Sequence, residues 1–482
     1  MADLPTLKKL RPCGRLETYS TARHHLGFYK NVGFTAEYVA SKNPQSSLEV
    51  RIYIALRKVI AQHPVLTTVT LNEDQSYPNV YFAQLPEIDL RTCVEIYERK
   101  TAFPNDGEAD EELDRYLVQQ HSRDFKDDLG SKPFWRLLVL TSPHDISKFT
   151  ATWMWHHALA DGTSAFSFHR SFLAGLNTPE GIADAIVKSS SADLAPQLED
   201  LHPMTITWPY FIKAILGALL PSVFAKRPPK LWAGNPIQPN ATPIPPPRYR
   251  TLVLSKATTD KLAQVSRSEK TSVTATLQCL LAASLFTCLP AEDCERLQIE
   301  GPISIKRFLN VEEQQMTMTI AEYAYLHERV AFRETKLKDS AGQGVLQQFS
   351  WDTARAVKST ISTEVAKSGV DNPVALLKYI SSMQQHFLDK LSKPRNSAAE
   401  LSSAGVWKHT QSAGVWTVGR MVFSQSPNVV ANALKLNVVT GGDGNATLNF
   451  CWAEDAVEEE LMRDIIEGVR TGIEDLVEGS QD

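Results

Sequence analysis

The sequence is short of the features that mark several large protein classes. Its 482 residues hold only six cysteines: Cys13, Cys93, Cys279, Cys288, Cys294 and Cys451. None forms a CxxC pair or sits at zinc spacing to a histidine, which removes a disulfide framework and a cysteine metal site. Reduced thiols in a cytoplasmic chain are the expectation, with no metal. There is no basic stripe either. The 50 lysines and arginines face 55 acidic residues for a net charge of −5, so nothing tracks a phosphate backbone and nucleic acid is excluded. Long apolar runs are also missing. The most hydrophobic stretch, WPYFIKAILGALLPSVF at 208–224, is broken by Pro209, Lys213 and Pro221. It falls short of the ~20 residues a span needs and is expected as a buried or tunnel-lining helix. The opening MADLPTLKKLRPCGRLE lacks the apolar core of a secretion signal.

What is present is enough for a large core: 43% of residues are hydrophobic, over a length that favours two domains. Prolines 228, 229, 236, 239, 243, 245, 246 and 247 crowd residues 226–250. Proline fixes φ and removes a donor, so this stretch is an extended crossover between a first half, 1–225, and a second half, 251–482.

Ser46 and Glu49 form a capping box for a helix running to Gln62. VLTTVTL, FWRLLVLTS and FTATWMW predict strands, the last two joined at Pro143–Asp145, and a helix with Phe166, Phe172 and Leu173 follows. In the second half, TTDKLAQVSRS and SVTATLQCLLAASLF predict helices, the latter with Val273, Leu277, Leu280, Leu281 and Leu285 on its buried side. GPISIKRFL, LKLNVVT and ATLNFCW predict strands, the last two joined by a glycine-rich turn. A final amphipathic helix carries Leu461, Ile465, Val469, Ile473 and Leu476. The sum is an α/β fold with mixed sheets.

One stretch, WMWHHALADGTS at 153–164, carries chemistry. The residues alone allow three readings. His156 and His157 end a strand while Asp161 caps the next helix; or His157 and Asp161, one helical turn apart, are two metal ligands in search of a third; or one imidazole is a general base, its pKa of ~6.5 suited to proton transfer near neutrality.

HHALADG also matches HHxxxDG, and so resembles the acyl-CoA-dependent acyltransferase and condensation superfamily with the chloramphenicol acetyltransferase fold. RLETYSTARHHLGFYKNVGFTAEY at 15–38 is similar to the opening of the fungal alcohol O-acetyltransferase family, and ALRKVIAQHPVLTT, TSVTATLQCLLAASLF and PISIKRFL follow in the expected order. The late DFGWG of the plant branch is missing.

The resemblance implies two halves with a tunnel between them, which favours a monomer. It implies acetyl-CoA as co-substrate, no permanently bound cofactor and a small-molecule alcohol acceptor, lipophilic or terpenoid. His157 is then the base, His156 a supporting residue, and Asp161 and Gly162 structural, with Arg307 the expected ion-pair partner of Asp161. Ser424 is the candidate oxyanion donor beside Gln425. Lys256, Lys261 and Lys270 are candidates for the CoA phosphates, and His24, His25 and Tyr29 for the acceptor mouth. A carrier-dependent condensation enzyme and a non-catalytic ligand-binding relative stay open.

Overall fold

The computed structural model describes residues 6–42, 47–178, 181–190, 193–219, 230–240, 245–330, 343–408 and 414–479. Two mixed sheets organise it. The first has five strands in the order Trp416–Gln425, Val32–Ala40, Lys148–Trp155, Trp135–Thr141 and Val94–Glu98. Its middle strand, KFTATWMW, is buried from Phe149 onward. A strand covered on both faces carries such a continuous run of aromatic and β-branched residues.

Helices Leu48–Gln62 and Ser164–Leu176 lie together against this sheet. Gly175 lets their backbones meet: a Cβ there would stand 2.6 Å from Ala55 Cα. Ser47 caps the first helix by accepting from Val50 N at 3.4 Å. The expected cap, Ser46, lies outside the described residues.

The second sheet runs Leu231–Trp232, Arg296–Ser304, Ser397–Val406, Asn432–Thr440, Ala446–Ala453 and Pro247–Leu254, with Ile320–Glu328 also paired to Arg296–Ser304. Pro247 opens the outermost strand, where a missing N–H costs least. Arg296–Ser304 ends sooner than GPISIKRFL suggested. Ile305 has ψ near 0°, and Lys306–Phe308 turn into a short 3-10 helix. Behind the sheet, Val273–Cys288 is buried on all sides from Ala275 to Phe286 rather than on one face. The terminal helix Glu459–Glu478 packs its apolar stripe against it.

One strand crosses between the halves: Trp416–Gln425 leaves the second half to join the first half's sheet, Val32 pairing with Gln425 and Ala40 with Trp416. One expectation needs correction, because the apolar segment at 208 is not buried. Its described helix, Trp208–Leu219, stands at the surface with Trp208 75% and Ile212 52% exposed. Among the described residues no single helix is long and apolar enough to cross a membrane.

Candidate active site

HHALADG occupies the turn between strand Lys148–Trp155 and helix Ser164–Leu176. Trp153, Trp155 and Phe168 stack behind it, with ring centroids 4.1 and 4.5 Å apart. Such offset pairs add about 0.5–1.5 kcal/mol each beyond burial. Trp155 Nε1 then donates to Ala160 O at 2.8 Å, fixing the loop onto the stack.

The same carbonyl holds His157, whose Nδ1 lies 3.1 Å from Ala160 O. A carbonyl can only accept, so Nδ1 carries the proton and Nε2 keeps a free lone pair. His157 lines a cavity of about 790 Å³ together with Tyr29, Gly162, Thr163 and Gln425. Burial pushes its imidazole down to about 3, with the Arg23 cation adding to the effect. The ring is therefore neutral across the physiological range. Gly162 keeps the cavity wall close, since a Cβ there would stand 3.3 Å from Phe423 Cζ.

Asp161 is fully buried and accepts five hydrogen bonds. Oδ1 takes Thr163 Oγ1 at 2.8 Å and both Ser164 N and Oγ at 3.0 Å. It thereby caps the following helix, where the helix dipole favours a carboxylate. Oδ2 takes Thr319 N and Oγ1, each at 3.2 Å, and Asp161 N donates to Thr317 O at 2.9 Å. The motif is thus stitched to the second half by neutral donors. The expected ion pair with Arg307 is absent: Arg307 is exposed, its Cζ 5.2 Å from the Phe308 ring. Lys306 Nζ donates instead to the carbonyls of Glu313 and Gln315.

His156 turns the other way. Its Nδ1 accepts from Ala158 N at 3.0 Å, which leaves the proton on Nε2, 3.1 Å from Glu73 Oε1. His24 mirrors it: Nε2 accepts from Phe125 N at 3.1 Å, and Nδ1 donates to Glu73 Oε2 at 2.6 Å. Burial alone would raise the Glu73 carboxyl, but the two histidines hold it well below the usual carboxylate range. Burial pushes His156 down to about 4. His24, Glu73 and His156 are close enough to hold a metal ion. Their proton placement opposes that: each near nitrogen is a donor, and each far nitrogen already accepts from a backbone N–H. Under the loop His24 is hydrogen-bonded to Glu73, and His156 stands within ion-pair distance of the same carboxylate, its Nε2 without a hydrogen bond.

Of the other expected residues, Tyr29 and Gln425 line the cavity. Tyr29 Oη donates to Gln425 Oε1 at 2.7 Å, and its ring lies 5.5 Å from that of His157. Ser424 does not line it. That hydroxyl is fully buried, 2.9 Å from His121 Nε2 and 3.3 Å from Gly33 O, so no oxyanion reaches it. His24 is bonded to Glu73 and His25 is exposed, neither on the cavity wall. Lys256, Lys261 and Lys270 are exposed and line no part of the cavity, Lys256 being paired with Asp260. Glu73, Thr319 and Arg23 went unnoticed in the sequence. Glu73 sits in the turn after VLTTVTL, where acidic residues are ordinary.

A neutral imidazole with a free nitrogen on an HHxxxDG loop, in a cavity where two α/β halves meet, fits a chloramphenicol acetyltransferase-like acyltransferase. The comparisons with known proteins agree. The family model described as alcohol acetyltransferase matches residues 12–467, and the chain belongs to that family. It is 32% identical to the probable alcohol acetyltransferase crmB of Aspergillus fumigatus over 475 residues, covering 95% of this chain and 97% of that one. The probable alcohol acetyltransferase FCK4 of Fusarium pseudograminearum is 24% identical, covering 96% and 94%. Among solved structures, the trichothecene 15-O-acetyltransferase TRI3 of Fusarium sporotrichioides superposes with a TM-score of 0.69 at 13% identity over 98% of each chain. A condensation domain of the calcium-dependent antibiotic synthetase gives 0.59 at 12% identity, over 98% of this chain and 97% of that one.

Proposed function

We propose that this alcohol acetyltransferase takes its acetyl group from acetyl-CoA and delivers it to the hydroxyl of a lipophilic secondary-metabolite alcohol in the cytoplasm, with His157 as general base. The free Nε2 of His157 on the cavity wall carries the reading. Nε2 takes the hydroxyl proton as the alcohol oxygen attacks the thioester carbonyl. The C–O bond forms, the C–S bond breaks, and the proton passes from Nε2 to the departing thiolate as CoA leaves. Nothing becomes attached to the protein. A positioned base of this kind contributes ~10²–10⁴ in rate, and holding both substrates in one cavity supplies proximity. Asp161 and Gly162 act through the loop, and His156 supports it from beneath. Leu16, Met318, Ile320 and Val430 give the cavity an apolar wall suited to such an acceptor.

The test is thiol release from acetyl-CoA against an alcohol panel, from short-chain to terpenoid, with wild type and His157→Ala side by side. Release that needs an alcohol and collapses in the variant is the expected result. Release without any alcohol would mark a thioesterase, and release unaffected by the substitution would remove His157 from the chemistry. Silence with acetyl-CoA but turnover with a carrier-linked donor would favour the condensation reading.

A further inference from the structure

Arg23 precedes His24 on helix Arg15–His25 and lines the same cavity as His157. It is only 6% exposed, and its Nε is enclosed without a hydrogen bond. Among the described residues no carboxylate pairs with its guanidinium and no oxygen accepts from either Nη. Two phenol rings clamp it, with Cζ 4.4 Å from the Tyr19 centroid and 4.5 Å from that of Tyr29. Aromatic faces attract a cation, yet they do not replace the water its N–H groups have lost. The clamp fixes where the guanidinium sits and leaves its donors unspent.

The other charges of the cavity do not answer it. Lys435 and Glu400 face each other at 3.4 Å, and Glu400 also accepts from Gln425 and Asn432. Glu300 accepts from Asn432 at 3.3 Å. Burial, followed by repulsion from Glu322 and Glu400, pushes its carboxyl up to about 8, so near neutrality it is largely a neutral donor. Lys390 lines the same cavity and forms no ion pair among the described residues. Glu322 lines the cavity as well, and with Glu300 it attracts the Lys390 ammonium from beyond ion-pair distance. Arg23 is thus the cation whose donors face a space that the substrate must fill.

We propose that Arg23 receives a carboxylate of the acceptor, so that the alcohol is a hydroxy acid held by guanidinium at one end and presented to His157 at the other. The guanidinium fork matches a carboxylate in two parallel hydrogen bonds. An amine in that place would set like charge against Arg23 and Lys390. The proposal rests on the acetyltransferase reading and narrows its acceptor to an apolar skeleton bearing an acid.

Binding and turnover test it separately. The probes are hydroxy acids, from short-chain to aromatic, each with its methyl ester and the amino alcohol of the same skeleton. Calorimetry on His157→Ala measures affinity without chemistry, and the double variant with Arg23→Met removes the cation. The best acid should bind about 10-fold or more tighter than its ester, the step worth one charge-assisted pair. Arg23→Met should erase that preference through KM, and Arg23→Lys should restore part of it, circular dichroism confirming that each variant is folded. Esters or amino alcohols binding as tightly as acids would overturn the proposal, as would an acid preference that survives Arg23→Met, or no binding by any probe. Acid binding without acetyl transfer in the wild type would instead sink the acetyltransferase reading and leave the carboxylate subsite standing.

Discussion

His156 and His157 are adjacent in the chain and opposite in surroundings. His157 looks into the cavity, its Nδ1 proton donated to Ala160 O and its Nε2 lone pair free. His156 looks into the protein, its lone pair committed to Ala158 N and its proton beside Glu73. Both are held neutral by burial, so charge does not tell them apart. Access does. A loop that turns one imidazole toward substrate uses its neighbour to anchor that turn.

The contrast can be broken from either side. His157→Ala should cut kcat by ~10²–10⁴ with little change in melting temperature, because the ring borders a cavity and its one hydrogen bond goes to Ala160 O in its own loop. Equal losses in rate and stability would make the two histidines equivalent. Glu73→Gln should do the reverse. It turns an amide N–H₂ toward a histidine N–H, costing about 1–3 kcal/mol of stability in thermal unfolding, with a smaller rate loss than His157→Ala.

Acid sharpens the comparison further. His157 titrates near 3 in the fold, so kcat/KM should show no limb from this base between about pH 5 and pH 8. Stability should still fall with acid. In the unfolded chain histidines protonate near pH ~6.5, while His156 at about 4, His157 at about 3, His169 at about 3 and His327 at about 3 stay neutral in the fold. The unfolded state then binds more protons, and the melting temperature should drop progressively as pH falls from ~6.5. A bell-shaped profile with an acid limb near ~6.5 in a still-folded enzyme would contradict the burial of His157.

The smallest effects concern Asp161. Thr319→Val removes one hydroxyl donor and should cost about 1 kcal/mol. Arg307→Ala, at an exposed site, should stay within about 0.5 kcal/mol. Reversal of that order in chemical denaturation would reinstate the ion pair.

Most elements were legible in the sequence because their patterns are local. The run from Phe149 to Trp155 and the Ile465, Val469 and Ile473 stripe of Glu459–Glu478 bury the residues their spacing indicates, and the Leu48–Gln62 helix forms where its pattern predicts, though of Val50, Ile54 and Ala61 it buries only Ile54. The HHxxxDG loop was legible for the same reason, its pattern being complete within seven residues. Partners from afar were not. Asp161 accepts from Thr319 and His156 lies beside Glu73, and neither partner is marked by any periodicity. In RHH at 23–25 the histidines drew attention, yet the helix sends His24 inward to Glu73 and His25 outward, and gives the cavity Arg23. Hydrophobicity alone misplaced Trp208–Leu219, since an apolar helix need not be a covered one.

The strand exchanged between the halves has a consequence for how the molecule is made. Val32–Ala40 can be complete only when Trp416–Gln425 arrives to pair with it. At ~5–20 residues per second, a ribosome needs about 20–80 s to span that interval. For that time the emerging chain carries an open β-edge flanked by a nearly finished sheet, a template for pairing with the wrong neighbour. Synthesis order therefore exposes the first sheet to chaperones and to aggregation until Trp416–Gln425 closes it, and the HHxxxDG loop shares in that wait.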